Sequence, residues 1–174
     1  AGYVYDFGHH AYPEKVTLKG GQYFVEENSI LATIDENGLL FRKYEVIPEK
    51  IIGKGINYFM SSEGDLFTVD KKGIVLKVTE EVFKRAVSFG GNYFAVMNDD
   101  EKKMADIYTV DENGKYKVVL PSYKLTDIAA LGGNYFMTNK GVLHTITHEG
   151  NVVPWPLMRV GVLVKRGGNY FTDI

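Results

Sequence analysis

The sequence predicts an all-β fold built from repeated units, because one short pattern returns five times at nearly constant spacing. The pattern is a Tyr-Phe pair, and a double glycine precedes four of the five pairs. The pairs begin at Tyr23, Tyr58, Tyr93, Tyr135 and Tyr170. Their intervals are 35, 35, 42 and 35 residues. Self-similarity at such a period is typical of repeat architectures, in which each repeat is one supersecondary unit.

Each unit is predicted to contain four short strands, named a to d, which the third unit shows most clearly. Strand a covers residues 85–89 and ends at a glycine pair that permits a tight turn. The other three strands are b at 92–96, c at 106–111 and d at 115–120. Asn113-Gly114 between strands c and d is a strong hairpin signal. The one competing helical pattern, at residues 80–87, predicts at most a single turn in a connection.

Four strands in a period near 35 predict the blades of a five-bladed β-propeller, in which each blade buries its faces only against its neighbours. Residues 1–174 then form one domain. The blades cover about 13–47, 48–82, 83–124, 125–159, and 160–174 together with 1–12. The last blade is therefore closed by both termini, with residues 3–7 pairing with 169–173 as strand c. An exposed edge there would favour association with another chain or with a larger parent chain.

The third unit also carries the features of a known repeat. Gly-Asn precedes an aromatic strand at residues 91–94, and strand c ends in Val-Asp-x-x-Gly at residues 110–114. These features resemble the NHL-type repeat and its bacterial propeller relatives over nearly the whole chain. The units here are shorter, and four of the five lack that family's long connection between strands b and c. The resemblance implies propeller architecture and partner binding on one face.

Composition excludes several functional classes. Lysine and arginine total 20 against 22 acidic residues, a net charge of −2, which predicts neither a nucleic-acid partner nor an anionic membrane surface. The apolar runs are too short to predict a membrane span. There are no cysteines, so disulfides and cysteine-ligated metals are excluded. No motif predicts a cofactor or a metal. The sequence leaves the compartment open, with an extracytoplasmic one favoured.

Alignment of the units places one residue of each at the entrance of strand a, the innermost strand. These residues are Lys15, Lys50, Arg85, Asp127 and Val162. Three cations at one mouth of a central channel predict an anion site, because low-dielectric walls concentrate the field there. Solvated cations at strand entrances are the alternative. Strand b ends at the same face, where Glu26 and Asp173 make the mouth mixed in charge.

The connection between strands b and c is longer in the third unit than elsewhere. Tyr93 and Thr109 lie 16 residues apart, whereas the equivalent pairs in the first, second and fourth units lie 10 apart. The extension, residues 97–105, is predicted to project from the same face as the channel mouth, where binding loops are common. Its proposed binding residues are Asn98, Asp99, Asp100 and Glu101. A tolerated surface insertion explains the extension equally well, and the acidic residues lack the spacing of a calcium loop.

These patterns favour a non-enzymatic binding module that uses the channel-mouth face for a protein, a glycan or a small anion. A structural domain within a larger assembly is compatible with this interpretation. The alternative is a glycoside-hydrolase-like enzyme, which needs two carboxyls roughly 5–10 Å apart. Asp127, Asp173 and Glu26 are the only acids predicted at the mouth, and neighbouring lysines would hold them ionised. The aromatic pairs are predicted to pack in the core.

Overall fold

The computed structural model describes residues 16–26, 29–159, 163–166 and 168–173. The all-β prediction is confirmed: the described chain forms four four-stranded antiparallel sheets and one two-stranded sheet. Within each complete sheet the strands are paired in chain order, so every sheet is a meander. This succession of small sheets is consistent with a propeller-type fold. No helix among the described residues is long and apolar enough to span a membrane.

The strands follow the predicted order a, b, c and d in each unit. Sheet 1 contains β1 (Val16–Lys19), β2 (Tyr23–Glu26), β3 (Ile30–Ile34) and β4 (Leu40–Glu45). Sheet 2 contains β5 (Ile51–Lys54), β6 (Tyr58–Ser61), β7 (Asp65–Val69) and β8 (Val75–Thr79). Sheet 3 contains β9 (Ala86–Phe89), β10 (Tyr93–Asp99), β11 (Met104–Val110) and β12 (Tyr116–Lys124). Sheet 4 contains β13 (Ile128–Leu131), β14 (Tyr135–Thr138), β15 (Val142–Ile146) and β16 (Val152–Arg159). Sheet 5 contains β17 (Leu163–Arg166) and β18 (Phe171–Asp173).

Short 3-10 turns lead into strand a of three sheets. They are Pro48–Lys50, Glu81–Arg85 and Leu125–Asp127. The second of these is the single turn that the helical pattern at residues 80–87 predicts. The extension of the third unit differs from the predicted loop, because most of it continues the hairpin. Met97 pairs with Ala105 and Asp99 with Met104, which leaves only a tight turn between β10 and β11.

Successive sheets are joined by one repeated contact, in which the tyrosine at the start of strand b reaches into the next sheet. The Tyr23 hydroxyl donates to the carbonyl oxygens of Gly55 and Tyr58, at 2.9 and 2.8 Å. The Tyr58 hydroxyl donates to those of Gly90 and Tyr93, at 2.8 and 2.6 Å. In the same way, the Tyr93 hydroxyl donates to the Tyr135 carbonyl oxygen, and the Tyr135 hydroxyl donates to that of Tyr170. Burial raises the pKa of Tyr58 well above its usual value, so this hydroxyl stays a donor.

The core lies between sheets, where each strand-b tyrosine packs on the phenylalanine of the next unit. The ring centroids of Tyr23 and Phe59 are 5.2 Å apart, and those of Tyr58 and Phe94 are 5.3 Å apart. The tyrosines of the first four units and Phe59, Phe94 and Phe136 are fully or almost fully buried. Core packing of these aromatic residues is therefore confirmed, and apolar burial of this kind is the main stabilising contribution.

A second contact links the outer halves of adjacent sheets. A threonine hydroxyl on strand c of one sheet donates to the carbonyl oxygen of a glycine in the next sheet, in the turn between its strands c and d. The pairs are Thr33 with Gly73, Thr68 with Gly114 and Thr109 with Gly150, at 2.7, 2.7 and 2.6 Å. Because each complete sheet is a meander, its turn between strands c and d lies on the same face as its turn between strands a and b.

Among the described residues, the tyrosine contact is not formed between sheet 5 and sheet 1. Tyr170 is 54% exposed, and Phe24, the sheet 1 counterpart of Phe59, is only half-buried. A methyl group added at Gly168 would meet no described heavy atom within 4 Å. Residues 3–7, which are predicted to complete sheet 5, lie outside the described residues. Closure by both termini and the count of five blades therefore stay predictions.

Candidate functional site

The structure places the described strand-entrance residues in equivalent positions. Lys50, Arg85 and Asp127 each end a 3-10 turn and directly precede strand a of sheets 2, 3 and 4. Lys15 and Val162 lie outside the described residues. Glu26 ends β2 and Asp173 ends β18, so both occupy the predicted end of strand b.

Both described cations at the strand entrances, Lys50 and Arg85, are paired with a carboxylate from their own unit. The Lys50 ammonium group contacts the Glu63 carboxylate, and Arg85 Nη2 lies 2.8 Å from Asp100 Oδ2. Pairing reduces the positive potential that either cation offers to an anion. Asp127 contributes its carbonyl oxygen to a hydrogen bond with the backbone N–H of Asn139, at 2.6 Å. An anion site at this mouth stays a prediction.

The extension of the third unit uses its polar side chains within the hairpin. Asn98 Nδ2 donates to Asp106 Oδ1 at 2.7 Å, across the two strands. Asp99 Oδ1 accepts the backbone N–H of Lys102 at 3.0 Å, which lowers the pKa of Asp99 below its usual value. Asp100 pairs with Arg85, as described above, and Glu101 lies in the turn. Their predicted role in binding a partner is not tested by these contacts.

A cavity lies on the opposite face, where the turns between strands a and b come together. The Gly21 N–H donates to the carbonyl oxygen of Ile56 at 2.7 Å, and the Ile56 N–H donates to that of Gly91 at 2.6 Å. The Gly91 N–H donates to the carbonyl oxygen of Gly133 at 2.6 Å, and the Gly133 N–H donates to that of Gly168. These backbone bonds bring one turn of every unit to a common centre.

The cavity has a volume of about 670 Å³ and receives one amide side chain from each unit. These amides directly precede the Tyr-Phe pairs and are Gln22, Asn57, Asn92, Asn134 and Asn169. Cavities of about 300–1,000 Å³ are typical of small-ligand sites. Five units that lie far apart in sequence thus supply the same functional group to one space.

Hydrogen bonds orient two of these amides. Asn57 Nδ2 donates to the carbonyl oxygen of Asp111 at 2.7 Å, and Asn92 Nδ2 donates to that of Thr147 at 3.5 Å. Because a carbonyl oxygen only accepts, the NH₂ end of each amide must face it. Both Oδ1 atoms are buried without a hydrogen-bond partner among the described residues, and Asn57 is only 9% exposed. Such an acceptor costs about 1–3 kcal/mol unless something donates to it.

Turns between strands c and d form the rim of the cavity and carry its charges. The Lys71 N–H donates to the Glu112 carbonyl oxygen, and the Glu112 N–H donates to that of His148, both at 3.1 Å. The Lys71 and Glu112 side chains form an exposed ion pair with an Nζ–Oε1 distance of 3.5 Å. The Thr147 side chain forms a hydrogen bond with Glu149, which lowers the pKa of the Glu149 carboxyl below its usual value. The rim therefore holds one acid in an ion pair and one whose ionised form is favoured by a hydrogen bond.

Three aliphatic side chains complete the lining. Val110 and Ile146 are almost completely buried, whereas Ile56 is 49% exposed. Their side chains provide the apolar part of the lining. The cavity therefore combines a polar ring with an apolar wall, a combination common in small-ligand sites.

Sequence reasoning missed this cavity as a site. The signal was present, because an amide stands before the aromatic pair in all five units, yet Gly-Asn was treated only as a mark of the repeat. The amides of Asn57 and Asn92 also join adjacent sheets through their hydrogen bonds to Asp111 and Thr147. For His148, which lies in this rim, the sequence predicts only a position near a turn, and a metal site with His9 and His10 is not favoured.

His144 is a packing residue. Its repeat position, equivalent to Ala32, Phe67 and Tyr108, predicts that it packs in a blade face, and its ring stacks on Phe136 with a centroid distance of 4.7 Å. His9 and His10 lie outside the described residues. Within the described parts of the chain, no group of His, Asp or Glu side chains is arranged to hold a metal ion.

Successive four-stranded sheets, joined through the turns between strands a and b beside one cavity, form an all-β repeat protein consistent with a propeller-type fold. The chain matches no protein-family model and no curated protein sequence. Among solved structures it is similar to virginiamycin B lyase from Staphylococcus aureus, with a TM-score of 0.37, 16% identity and 91% of this chain covered. It is also similar to a streptogramin B lyase, with a TM-score of 0.37, 17% identity and 87% of this chain covered. The match spans 62% and 58% of those two chains, respectively.

Proposed function

We propose that this chain is a binding module of the propeller type, with five units around a central ligand cavity on the face of the turns between strands a and b. One observation carries the proposal: each of the five units contributes one amide residue, directly before its Tyr-Phe pair, to the lining of the same cavity. Convergent polar groups in a cavity of this size are typical of small-ligand sites. The joined sheets supply the rigid scaffold that a preorganised site needs.

The acids around the cavity favour binding over hydrolysis of a ligand. A glycosidase needs one carboxylic acid with a raised pKa to protonate the leaving group. Glu112 is paired with Lys71, and hydrogen bonding lowers the pKa of Glu149. Hydrogen bonding thus favours the carboxylate form of Glu149, and the Glu112 side chain contacts an ammonium group, so neither side chain is placed as a proton donor. On the opposite face, the pairing of Lys50 and Arg85 with acids makes an anion site there the weaker candidate.

A pair of matched variants tests where ligands bind. Ile56 lines the cavity, Ile47 directly precedes the turn Pro48–Lys50 on the other face, and both are 49% exposed. We expect Ile56→Trp to fill the cavity, because the larger ring occupies the space of a ligand, and Ile47→Trp to leave it open. Small-molecule fragments of mixed charge are first screened against the wild-type protein by NMR.

Fragments that bind should perturb backbone amides at residues 56–57, 91–92 and 133–134, and should lose affinity in Ile56→Trp only. Fragments that perturb instead the surroundings of Lys50 and Arg85, or that bind equally to both variants, would overturn the assignment of the cavity. Far-UV circular dichroism of both variants provides the control for folding.

A further inference from the structure

The first and last sheets carry the two halves of a tyrosine junction that the described chain does not form. We infer that a second cavity, on sheet 1 and lined in part by Gly20, Tyr23 and Phe24, binds Tyr170 of a second copy of this chain. This sheet 1 cavity is separate from the proposed ligand cavity and would exist whether or not that cavity binds a ligand. The four formed junctions between successive sheets show what a tyrosine meets when it enters the next sheet.

The sheet 1 cavity has a volume of about 410 Å³ and offers the groups that a junction tyrosine contacts. In the first junction these groups are two carbonyl oxygens and one ring, from Gly55, Tyr58 and Phe59. Their counterparts 35 residues earlier are Gly20, Tyr23 and Phe24, which all line the sheet 1 cavity. Since a carbonyl oxygen has two lone pairs, the Tyr23 oxygen can accept a hydroxyl besides its bond from the Gly20 N–H. The cavity is therefore shaped by the repeat as a tyrosine site.

The last unit carries the matching donors. Tyr170 has the repeat position of the four junction tyrosines, but it is 54% exposed. Along the inner turns, the Gly133 N–H donates to the Gly168 carbonyl oxygen, so the Gly168 N–H is the next donor in this series. Its counterpart acceptor is the carbonyl oxygen of Gly21, another residue of the sheet 1 cavity. No described heavy atom would lie within 4 Å of a methyl group added at Gly168, which leaves space for a second copy.

A lysine at the sheet 1 cavity adds a third matching group. At the first junction, Lys54 Nζ donates to the carbonyl oxygen of Lys19 at 2.7 Å. Lys19 has the same repeat position as Lys54, is exposed and lines the sheet 1 cavity. Its ammonium group would donate in the same way to the carbonyl oxygen of Arg166, which ends β17 of the entering sheet. The third and fourth units carry Phe89 and Leu131 at this position, so the repeat itself does not require a lysine there.

A second copy is the expected occupant because Tyr170 of the same chain does not reach the sheet 1 cavity. Tyr170 is absent from the described residues that line this cavity. The four formed junctions fix the position of sheet 5 relative to sheet 1. In repeat proteins, end units with a polar outer face stop further stacking. Here Phe24 and Ile34 line the cavity at one end and Tyr170 is exposed at the other, so the two ends stay complementary.

Two variants and two matched controls test the contact by sedimentation equilibrium. Tyr170→Ala removes the entering side chain, and Lys19→Trp fills the sheet 1 cavity from an exposed position. The controls Ile74→Ala and Lys115→Trp change exposed residues that do not line this cavity. A contact of this small size should have a Kd of about 0.1–1 mM. At about 5 µM the chain should be monomeric, so unfolding measured there reports on one chain.

We expect the average mass of the wild type and of both controls to increase with concentration, because a head-to-tail contact leaves one free end on each copy. Tyr170→Ala and Lys19→Trp should each stay monomeric. Their equimolar mixture should stop at two chains, since only one intact tyrosine and one intact cavity can meet. Tyr170→Phe should associate about five- to tenfold more weakly, the loss typical of one hydrogen bond.

Three results would overturn the inference. A wild type that stays monomeric up to 1 mM, about the upper limit of the expected Kd, would exclude the contact between copies. If Tyr170→Ala then also lowers the Tm, the cavity is filled by Tyr170 of the same chain. Association that Ile74→Ala abolishes, or that Tyr170→Ala and Lys19→Trp both retain, would assign the contact to another surface. Far-UV circular dichroism of each variant provides the control for folding.

Discussion

Removing one hydroxyl from the tyrosine series should measure how strongly the sheets are joined. In Tyr58→Phe the aromatic ring and its contact with Phe94 remain, but the hydrogen bonds to the Gly90 and Tyr93 carbonyl oxygens are lost. Tyr58 has an exposed fraction of zero, so water cannot replace the donor. Because one hydrogen is shared by two acceptors, we count one buried hydrogen bond, with an expected loss of about 1–2 kcal/mol. For a chain of this length, the loss corresponds to a decrease in Tm of about 2–8 °C.

Tyr170→Phe is the matched control, since Tyr170 occupies the same position of the repeat but is 54% exposed. We expect its free energy of unfolding to change by less than about 0.5 kcal/mol, as for other surface substitutions. Urea denaturation followed by far-UV circular dichroism measures both variants. A loss in Tyr58→Phe below about 0.5 kcal/mol would refute the stabilising role of the contact. An equal loss in Tyr170→Phe would instead show that a fifth contact, from sheet 5 to sheet 1, forms in solution.

Three further predictions concern the turns, the termini and the pH dependence. Gly91→Ala should lower the free energy of unfolding by about 1–3 kcal/mol, because the added methyl would lie 2.5 Å from the Gly133 carbonyl oxygen. Gly168→Ala should leave it unchanged, since no described atom lies within 4 Å of the added methyl, and chemical denaturation of the two variants checks both expectations. Deleting residues 1–8 should lower the melting temperature strongly if the N-terminus completes sheet 5, and an unchanged melting temperature would contradict that closure. Burial lowers the pKa of His144, so the unfolded chain takes up a proton before the folded protein does as the pH falls below about 6.5. The free energy of unfolding should therefore decrease between pH 7 and pH 5. Denaturation curves measured across this range should show a smaller decrease for His144→Phe.

The repeat and its local structure could be predicted from the sequence because similar turn residues and strand patterns recur within each unit. Glycine pairs mark the turn between strands a and b in four of the five units, and Asn-Gly marks the hairpin between strands c and d in units one and three. The strands of unit three lie within a few residues of their predicted bounds. The main local difference is the extension at residues 97–105, where cross-strand pairing continued further than its polar composition suggested.

The charged residues illustrate what could not be predicted. Position in the repeat placed Lys50 and Arg85 at strand entrances, and the structure agrees. Whether their charges are available depends on Glu63 and Asp100, which reach them from the connections between strands b and c. Electrostatic pairing depends on distances of a few ångströms, and repeat alignment does not provide them.

By itself the sequence determined the all-β repeat, the aromatic core and the presence of one amide per unit, since these depend on turn chemistry and on strand periodicity within some 35 residues. Only the tertiary structure decided that the amide residues line one cavity, and how hydrogen bonds between sheets orient Asn57 and Asn92. Asn57 is oriented by the carbonyl oxygen of Asp111, which lies 54 residues further along the chain. The direction of its unpaired oxygen is therefore a property of how the sheets are joined, because a hydrogen bond requires two groups to meet at a fixed distance and angle.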